Sequence, residues 1–335
     1  MISLHSHSGQ YCMHAVGQLE DVVKRAIELG FLVYGLTEHM PRTRKQDLYP
    51  EEAHLTPADT QLMFSAYYAH ARELQAKYKD QITLLVGMET ELIHDHTLEE
   101  IKMLCQSFHF DYLVGSVHHV LGYPIDFDEA GFIKLEKHLF ETSPDSKRLG
   151  LSEGDVSLST ATSCAIGTEM AFQTYFDAQF RLIDQIQPSV VAHFDLVRLF
   201  RPAFSLSKVV LEKIDRNIQR IAEYGGIIEI NSRAWKKGLR DAYPQRDILQ
   251  RMVTAGLRFC ISDDSHGPAD VGMHYSKLPD YLAEMGICEI SYPIPIANTV
   301  PLQDKMCDQG VIQAITIRDV LESTDWTKFE SRVGF

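Results

Sequence analysis

The sequence predicts an α/β fold in which parallel strands alternate with helices and close into a barrel. Two observations predict it. Short apolar runs recur along the chain to residue 261, separated by helix-length amphipathic segments, which is the alternation of a parallel sheet. Nearly every run also ends in His, Asp, Glu or Asn. A closed barrel gathers groups from many strand ends at one mouth, whereas an open doubly wound sheet concentrates its site at one crossover.

The first run, residues 2 to 5, ends in His5-Ser6-His7. Residues two apart in a strand share a face, so the two imidazoles converge, an arrangement suited to a transition metal. A helix follows with Leu19, Val22, Val23, Ala26 and Ile27 on one face, stopping at Gly30. The strand Phe31 to Leu36 then delivers Thr37-Glu38-His39. After a polar loop, Asp59 is placed to cap a helix running to about Tyr78, with an inner stripe read as Leu62, Ala66, Ala69 or His70, and Leu74. Strands at 82–86 and 111–117 flank a helix near 97–107 and end in Gly87-Met88-Glu89 and His118-His119.

Residues 122–165 break the rhythm, with a short helix expected at 129–140 and a Ser/Thr-rich tract after it. The stretch is too long for an ordinary connection and is expected to be a lid or surface insertion. A helix from Met170 ends before Pro188, and the strand 190–192 delivers His193. A helix at 205–224 stops at Gly225-Gly226, and the strand 227–230 delivers Asn231. Pro244 opens another helix to Ala255, and the strand 257–261 ends in Ser262-Asp263-Asp264-Ser265-His266. An eighth strand is expected near 287–292.

A chain of 335 residues, 45% of them hydrophobic, can bury a large core, and no Pro/Gly/Ser-rich linker divides it, so one domain over 1–335 is expected. The net charge of -14 argues against a nucleic-acid groove, although a metal cluster can still attract a small anion. The six cysteines lack paired spacing, which fits a reducing compartment. The first strand starts at residue 2, leaving no room for a signal segment, and no apolar run reaches the roughly 18 residues of a membrane span. These features predict a soluble cytoplasmic protein without membrane or nucleic-acid partners, and leave the oligomeric state open.

The strand-end motifs resemble those of the polymerase-and-histidinol-phosphatase (PHP) superfamily, metal-dependent phosphoesterases on a distorted (β/α)7 barrel with the metal site at the C-terminal ends of the strands. The matching residues are His5-Ser6-His7, His14, Thr37-Glu38-His39, Gly87-Met88-Glu89, Ser116-Val117-His118-His119, Ala192-His193-Phe194-Asp195 and Asp264-Ser265-His266, spanning most of the chain. His5-Ser6-His7-Ser8-Gly9, Thr37 to Arg42, His193 to Leu196 and Ile228 to Asn231 bring the chain closer to the histidinol-phosphate phosphatase branch. The resemblance implies three divalent ions, of zinc, manganese or iron. His5, His7, Glu89 and Asp264 would hold one, with Glu89 bridging to a second held by His118 and His193, and His14, His39 and His266 would hold the third. It further implies hydrolysis of L-histidinol phosphate to L-histidinol and inorganic phosphate, in histidine biosynthesis, by a metal-activated water. Glu89 and Asp264 would then serve catalysis through the metals they hold.

Arginines after strand ends are the candidate phosphate binders, with Arg198 favoured, Arg233 next and Arg42 also available. His119 is expected to orient a ligand or to protonate the leaving oxygen. Tyr175-Phe176, Asp195 and Glu229 are available to an imidazole- and ammonium-bearing substrate, although aromatic residues at helical spacing more often pack a core. Alternatives are another small phosphate ester as substrate and, further away, a metal-dependent amidohydrolase, which commonly uses a bridging lysine of which no strand end here shows a sign.

Overall fold

The computed structural model describes residues 1–143, 160–294, 311–316 and 328. Its centre is a parallel sheet of seven strands: β1 (Ile2–Ser3), β3 (Val33–Leu36), β4 (Thr83–Glu89), β5 (Tyr112–Gly115), β8 (Val190–Val191), β9 (Ile227–Asn231) and β10 (Arg258–Ser262), adjacent in that order. The ring is closed one step higher. The chain of β1 resumes as β2 (Ser6–His7) and that of β10 as β11 (Ser265–His266), and these two pair in parallel, Ser6 with Ser265 and His7 with His266. Below that pair the seam is bridged by side chains: Ser3 Oγ donates to Asp263 Oδ1 at 2.9 Å and accepts from the Asp263 backbone N–H at 3.2 Å. The result is the distorted (β/α)7 barrel, with all ladders parallel and the strand C-termini converging at one mouth.

Helices cover the barrel because each strand is buried along nearly its whole length. Helix α1 (Leu19–Leu29) buries Leu19, Val22, Val23, Ala26 and Leu29 and ends where Gly30, at φ 80, donates back to Ala26 and Ile27. Helix α2 (Pro57–Lys77) starts two residues before the expected cap. Thr56 and Asp59 form a reciprocal capping box there, with Pro57 at the first helical position. Its buried stripe is Thr60, Phe64, Tyr67, Ala71 and Leu74, and Leu62 is 69% exposed. Of the expected stripe only Leu74 is buried, and the rest is out of phase. Tyr67 decides the orientation, since its hydroxyl donates to the carbonyls of Leu36 and Gly87 on adjacent strands.

Helix α3 (Thr97–Ser107) fits its expectation. The insertion after β5 carries a small hairpin, β6 (His119–Val120) with β7 (Tyr123–Pro124), and then α4 (Glu129–Thr142). Residues 144–159, including most of the Ser/Thr-rich tract, lie outside the described residues. Helix α5 (Thr160–Ile186) begins ten residues before the expected Met170. Polar, small residues of low helix propensity hid this start. One of them has a packing role, because a Cβ at Gly167 would lie 2.4 Å from the Glu136 carbonyl oxygen of α4. Glu136 also accepts from Thr168 and Arg201, tying the two helices to the barrel rim.

Helices α6 (Lys208–Tyr224), the short α7 (Arg233–Lys236), α8 (Arg246–Thr254) and α9 (Leu278–Glu284) complete the shell. The expected eighth strand exists as β12 (Glu289–Ile294), but it is not a barrel strand. It pairs antiparallel with β13 (Val311–Thr316) in a separate sheet, and the ring is already closed by β2 and β11. None of the helices, among the described residues, is long and apolar enough to cross a membrane.

Truncation of Phe64 to Ala is expected to cost about 3–5 kcal/mol of unfolding free energy, because it empties a buried aromatic site. The Leu62→Ala change is expected to stay within about 0.5 kcal/mol. Urea titration of the two variants checks the assignment of the buried face.

Candidate metal centre

The convergence of strand C-termini places His5, His7, His39, Glu89, His118, His193, Asp264 and His266 at the barrel mouth, joined by His14 from the loop after β2. Glu89, at the last position of β4, lies at the centre and is 1% exposed. Its Oε1 faces His193 Nε2 at 3.1 Å, His5 Nε2 at 3.2 Å and His118 Nε2 at 3.3 Å. Its Oε2 faces His39 Nδ1 at 2.8 Å and His7 Nε2 at 3.3 Å, yet makes no hydrogen bond. Asp264 Oδ1 stands 3.6 Å from His7 Nε2 and 3.8 Å from His5 Nε2. His193 (φ 24) and Asp264 (φ 46) hold positive backbone angles that non-glycine residues seldom adopt, as functional sites often require.

Several of these nitrogens meet at a spacing that shared ligation of one cation would also produce. His5 Nε2 faces His7 Nε2 at 3.2 Å, and His14 Nε2 faces His39 Nε2 at 3.3 Å. Two nitrogens bonded to one tetrahedral cation at roughly 2.0–2.1 Å stand roughly 3.3 Å apart, so the spacing suits shared ligation. Sets of three donor atoms lie within 4.8 Å of one another in His5, His7 and Asp264, in His5, Glu89 and His193, and in His7, His39 and His266. The residues present therefore fit divalent cations.

A second layer aims these ligands. Glu229 Oε1 holds His5 Nδ1 at 2.8 Å, turning Nε2 inward, and the same carboxylate accepts from Ser262 Oγ, Asn231 Nδ2 and the His193 backbone N–H. Glu38 Oε2 stands 3.4 Å from His7 Nδ1, while its Oε1 accepts from the Ser8 backbone and hydroxyl. Glu91 Oε1 braces His39 Nδ1 at 3.0 Å, and Ser116 Oγ donates to Glu89 Oε1 at 2.6 Å. The Glu229 hydrogen bond fixes the tautomer and ring orientation of His5.

The electrostatics match this reading. Burial opposes ionisation of Glu89, but the His5, His39 and His118 imidazoles hold it well below the ordinary carboxylate range. Burial likewise opposes charging of His5, which Glu89, Asp264 and Glu229 nonetheless hold well above its usual value. Burial and the neighbouring His39 and His7 lower His14 to about 3, and burial with His7 and Arg233 pushes His266 well down. Positive charge is thus drawn to the carboxylates, and the outer imidazoles stay neutral and able to coordinate.

A cavity of about 240 Å³ opens above the cluster, lined among others by Tyr49, Asp126, Phe127, Arg233, Lys237 and Tyr243. Arg233 is the one expected phosphate binder on this wall. Its Nη1 donates to the Asp264 carbonyl and to Asp270 Oδ2. The favoured Arg198 is not there: it is 4% exposed and spent on Asp247 Oδ1 at 2.7 Å and the Pro202 carbonyl. Arg42 is buried against Glu91 Oε1 at 2.6 Å and over the Tyr49 ring, so it braces the cluster from behind.

His119 is also outside the cavity lining. Its Nδ1 is 3.8 Å from Glu91 Oε2, and burial keeps the ring neutral, lowering it to about 4, so of its two expected roles the placement favours orientation. Tyr175 and Phe176 are fully buried core residues, Asp195 accepts from the Gln245 backbone, and Glu229 is engaged by His5. None of these four lines the cavity, whose aromatic and acidic wall is instead Tyr49, Phe127, Glu51 and Asp126. Glu91 was legible as the same-face neighbour of Glu89, two residues on. Tyr49 and Lys237 carried no sequence signal.

A family model for the PHP domain matches residues 3–233. A Saccharomyces cerevisiae protein named histidinol-phosphatase is 32% identical over 85% of this chain and 89% of its own. A Schizosaccharomyces pombe protein described as a probable histidinol-phosphatase is 42% identical over 86% of this chain and 88% of its own. Among solved structures, the histidinol phosphate phosphatase of Lactococcus lactis, crystallised with zinc, L-histidinol and phosphate, aligns with a TM-score of 0.59 at 18% identity, covering 87% of this chain and 95% of that one.

Replacing Glu229 by Gln is expected to weaken metal binding about 10–100-fold, read by competition with a chromogenic chelator, because His5 and His193 lose their common anchor. Arg198→Ala is expected to lower the melting temperature while leaving KM for a phosphate ester within about twofold of the parent.

Proposed function

The chain belongs to the PHP domain family, and from that premise we propose that it is a histidinol-phosphatase, hydrolysing L-histidinol phosphate to L-histidinol and inorganic phosphate at a centre of three divalent cations. The single observation carrying the reading is Glu89, a buried carboxylate with imidazoles facing both of its oxygens, at the floor of a cavity large enough for a small ester. Its two oxygens suit it to bridge the ion of His5, His7 and Asp264 to that of His118 and His193, and His14, His39 and His266 form the third set. Zinc suits these nitrogen and oxygen donors, and the Lactococcus relative holds zinc.

Bound cations would polarise the phosphoryl oxygens and lower the pKa of a coordinated water. The chain's own residues do the rest. Arg233 and Lys237 put positive charge on the cavity wall to receive phosphate oxygens. Tyr243 lines the same wall, and its buried hydroxyl, which burial keeps protonated, has no hydrogen-bond partner among the described residues. Tyr49 and Phe127, with rings near parallel at 14° and centroids 6.2 Å apart, and the carboxylates of Glu51 and Asp126 offer an imidazole and an ammonium group suitable neighbours.

Phosphate release from histidinol phosphate, beside unrelated phosphomonoesters and with bound metals counted, tests the reading. Selective hydrolysis with about three metals per chain is expected, and broad or absent hydrolysis by fully loaded protein would overturn the substrate assignment. Glu89→Gln is expected to lose most metal and activity together. Arg233→Ala is expected to raise KM about tenfold or more, the loss of a charge-assisted contact to phosphate.

A further inference from the structure

The loop after β2 brings a sulfur into this nitrogen and oxygen cluster. Cys12 N–H donates to the Ser8 carbonyl, Ala15 N–H to that of Cys12, and Val16 N–H to that of His266, so the loop is pinned against β11. Cys12 and His14 are thereby delivered to the same point. Cys12 Sγ stands 3.2 Å from His14 Nε2, which itself faces His39 Nε2 at 3.3 Å, and three donor atoms of Cys12, His14 and His39 lie within 4.8 Å of one another. Cys12 is 5% exposed and its thiol is free. On its other side Cys12 groups with His7 and Glu38, whose Nδ1 and Oε2 are buried without a hydrogen bond. A cysteine serving as a small apolar filler sits among aliphatic side chains. This one sits among imidazoles and a carboxylate.

We propose that Cys12 is a thiolate ligand of the cation held by His14 and His39, making that position selective for zinc or another thiophilic ion. The inference rests on the metal-dependent reading above. On binding, the thiol proton leaves to solvent and the sulfur lone pair forms the metal bond, as coordinated thiols do. A soft thiolate beside imidazoles favours zinc over manganese or magnesium, whereas the remainder of the cluster offers only nitrogen and oxygen donors. His14 is braced for this ligation by Glu51 Oε1, 3.3 Å from its Nδ1.

Zinc-edge X-ray absorption of the zinc-loaded parent protein tests this without any variant. A sulfur shell at roughly 2.3 Å is expected, and a shell of nitrogen and oxygen alone would overturn the assignment. The cobalt-substituted protein should show a thiolate-to-cobalt charge-transfer band that C12S lacks, and C12S should release its weakest-held zinc on the order of tenfold more readily to a chelator. A band that persists in C12S would assign the sulfur to another cysteine and refute Cys12. Phosphatase assays separate the two readings. Hydrolysis of histidinol phosphate without a sulfur shell removes only the cysteine ligand, whereas a sulfur shell in a fully loaded but inactive protein keeps the ligand and removes the function.

Discussion

A buried carboxylate surrounded by imidazoles is the constraint on which the rest of this structure depends. Glu89 sits at the C-terminal end of a central strand with almost no contact with water. An ionised carboxylate there is tolerable only if positive charge meets it at short range. The fold supplies that charge from several directions at once. Only parallel strands point all their C-termini the same way, and only a closed ring brings His5, His118 and His193 to one oxygen from three different strands. The broken seam at Ser3 and Asp263 follows from the same requirement. Shifting the closing pair up to β2 and β11 puts His7 and His266 opposite each other at the rim, where both rings face the cluster.

The second layer explains why the barrel interior is so rich in acidic side chains. Glu38, Glu91 and Glu229 do not line the cavity; Glu229 hydrogen-bonds the outward nitrogen of His5, Glu38 stands beside His7 Nδ1, and Glu91 meets His39 Nδ1 together with Glu89. Glu229 is shared most widely, joining β9 to His5, to the backbone of His193 and to Ser262 in one network. Ligand geometry is therefore a property of the barrel as a whole, not of any loop.

What the sequence revealed and what it concealed divide along physical lines. The residues that converge at the barrel mouth were legible because strand periodicity places them: His5 and His7 two apart, and Glu89, His118, His193 and Asp264 each just where an apolar run stops. The phase of α2 was misread because Leu62 is apolar yet exposed, while Tyr67 is buried for its hydroxyl bonds to two strands, which hydrophobicity does not encode. The early start of α5 was hidden because Gly167 is there for close packing against α4 at the expense of helix propensity. Arginines were the least legible. Arg198, Arg42 and Arg233 all follow strand ends, and only their partners separate the one on the cavity wall from the two consumed by Asp247 and Glu91. A guanidinium's role depends on which carboxylate reaches it first, and that is a tertiary fact.

The same accounting of charge explains how an acidic chain can receive an anion. Around the cavity floor the carboxylates of Glu89, Asp264, Glu91 and Glu229 face His5, His39 and His118, and these carboxylates raise the imidazoles against the opposing effect of burial, His5 and His39 well above their usual value. On the wall, Arg233 is already partly spent on Asp270, and Lys237 stands 3.6 Å from Asp126. Protons bring one charge to each imidazole and block its nitrogen as a ligand. Divalent cations bring two charges each and leave the imidazoles neutral. Metal occupancy would therefore add positive charge at the floor of the cavity, and an anion that binds the metal-loaded state more tightly would in turn stabilise metal binding by the same factor.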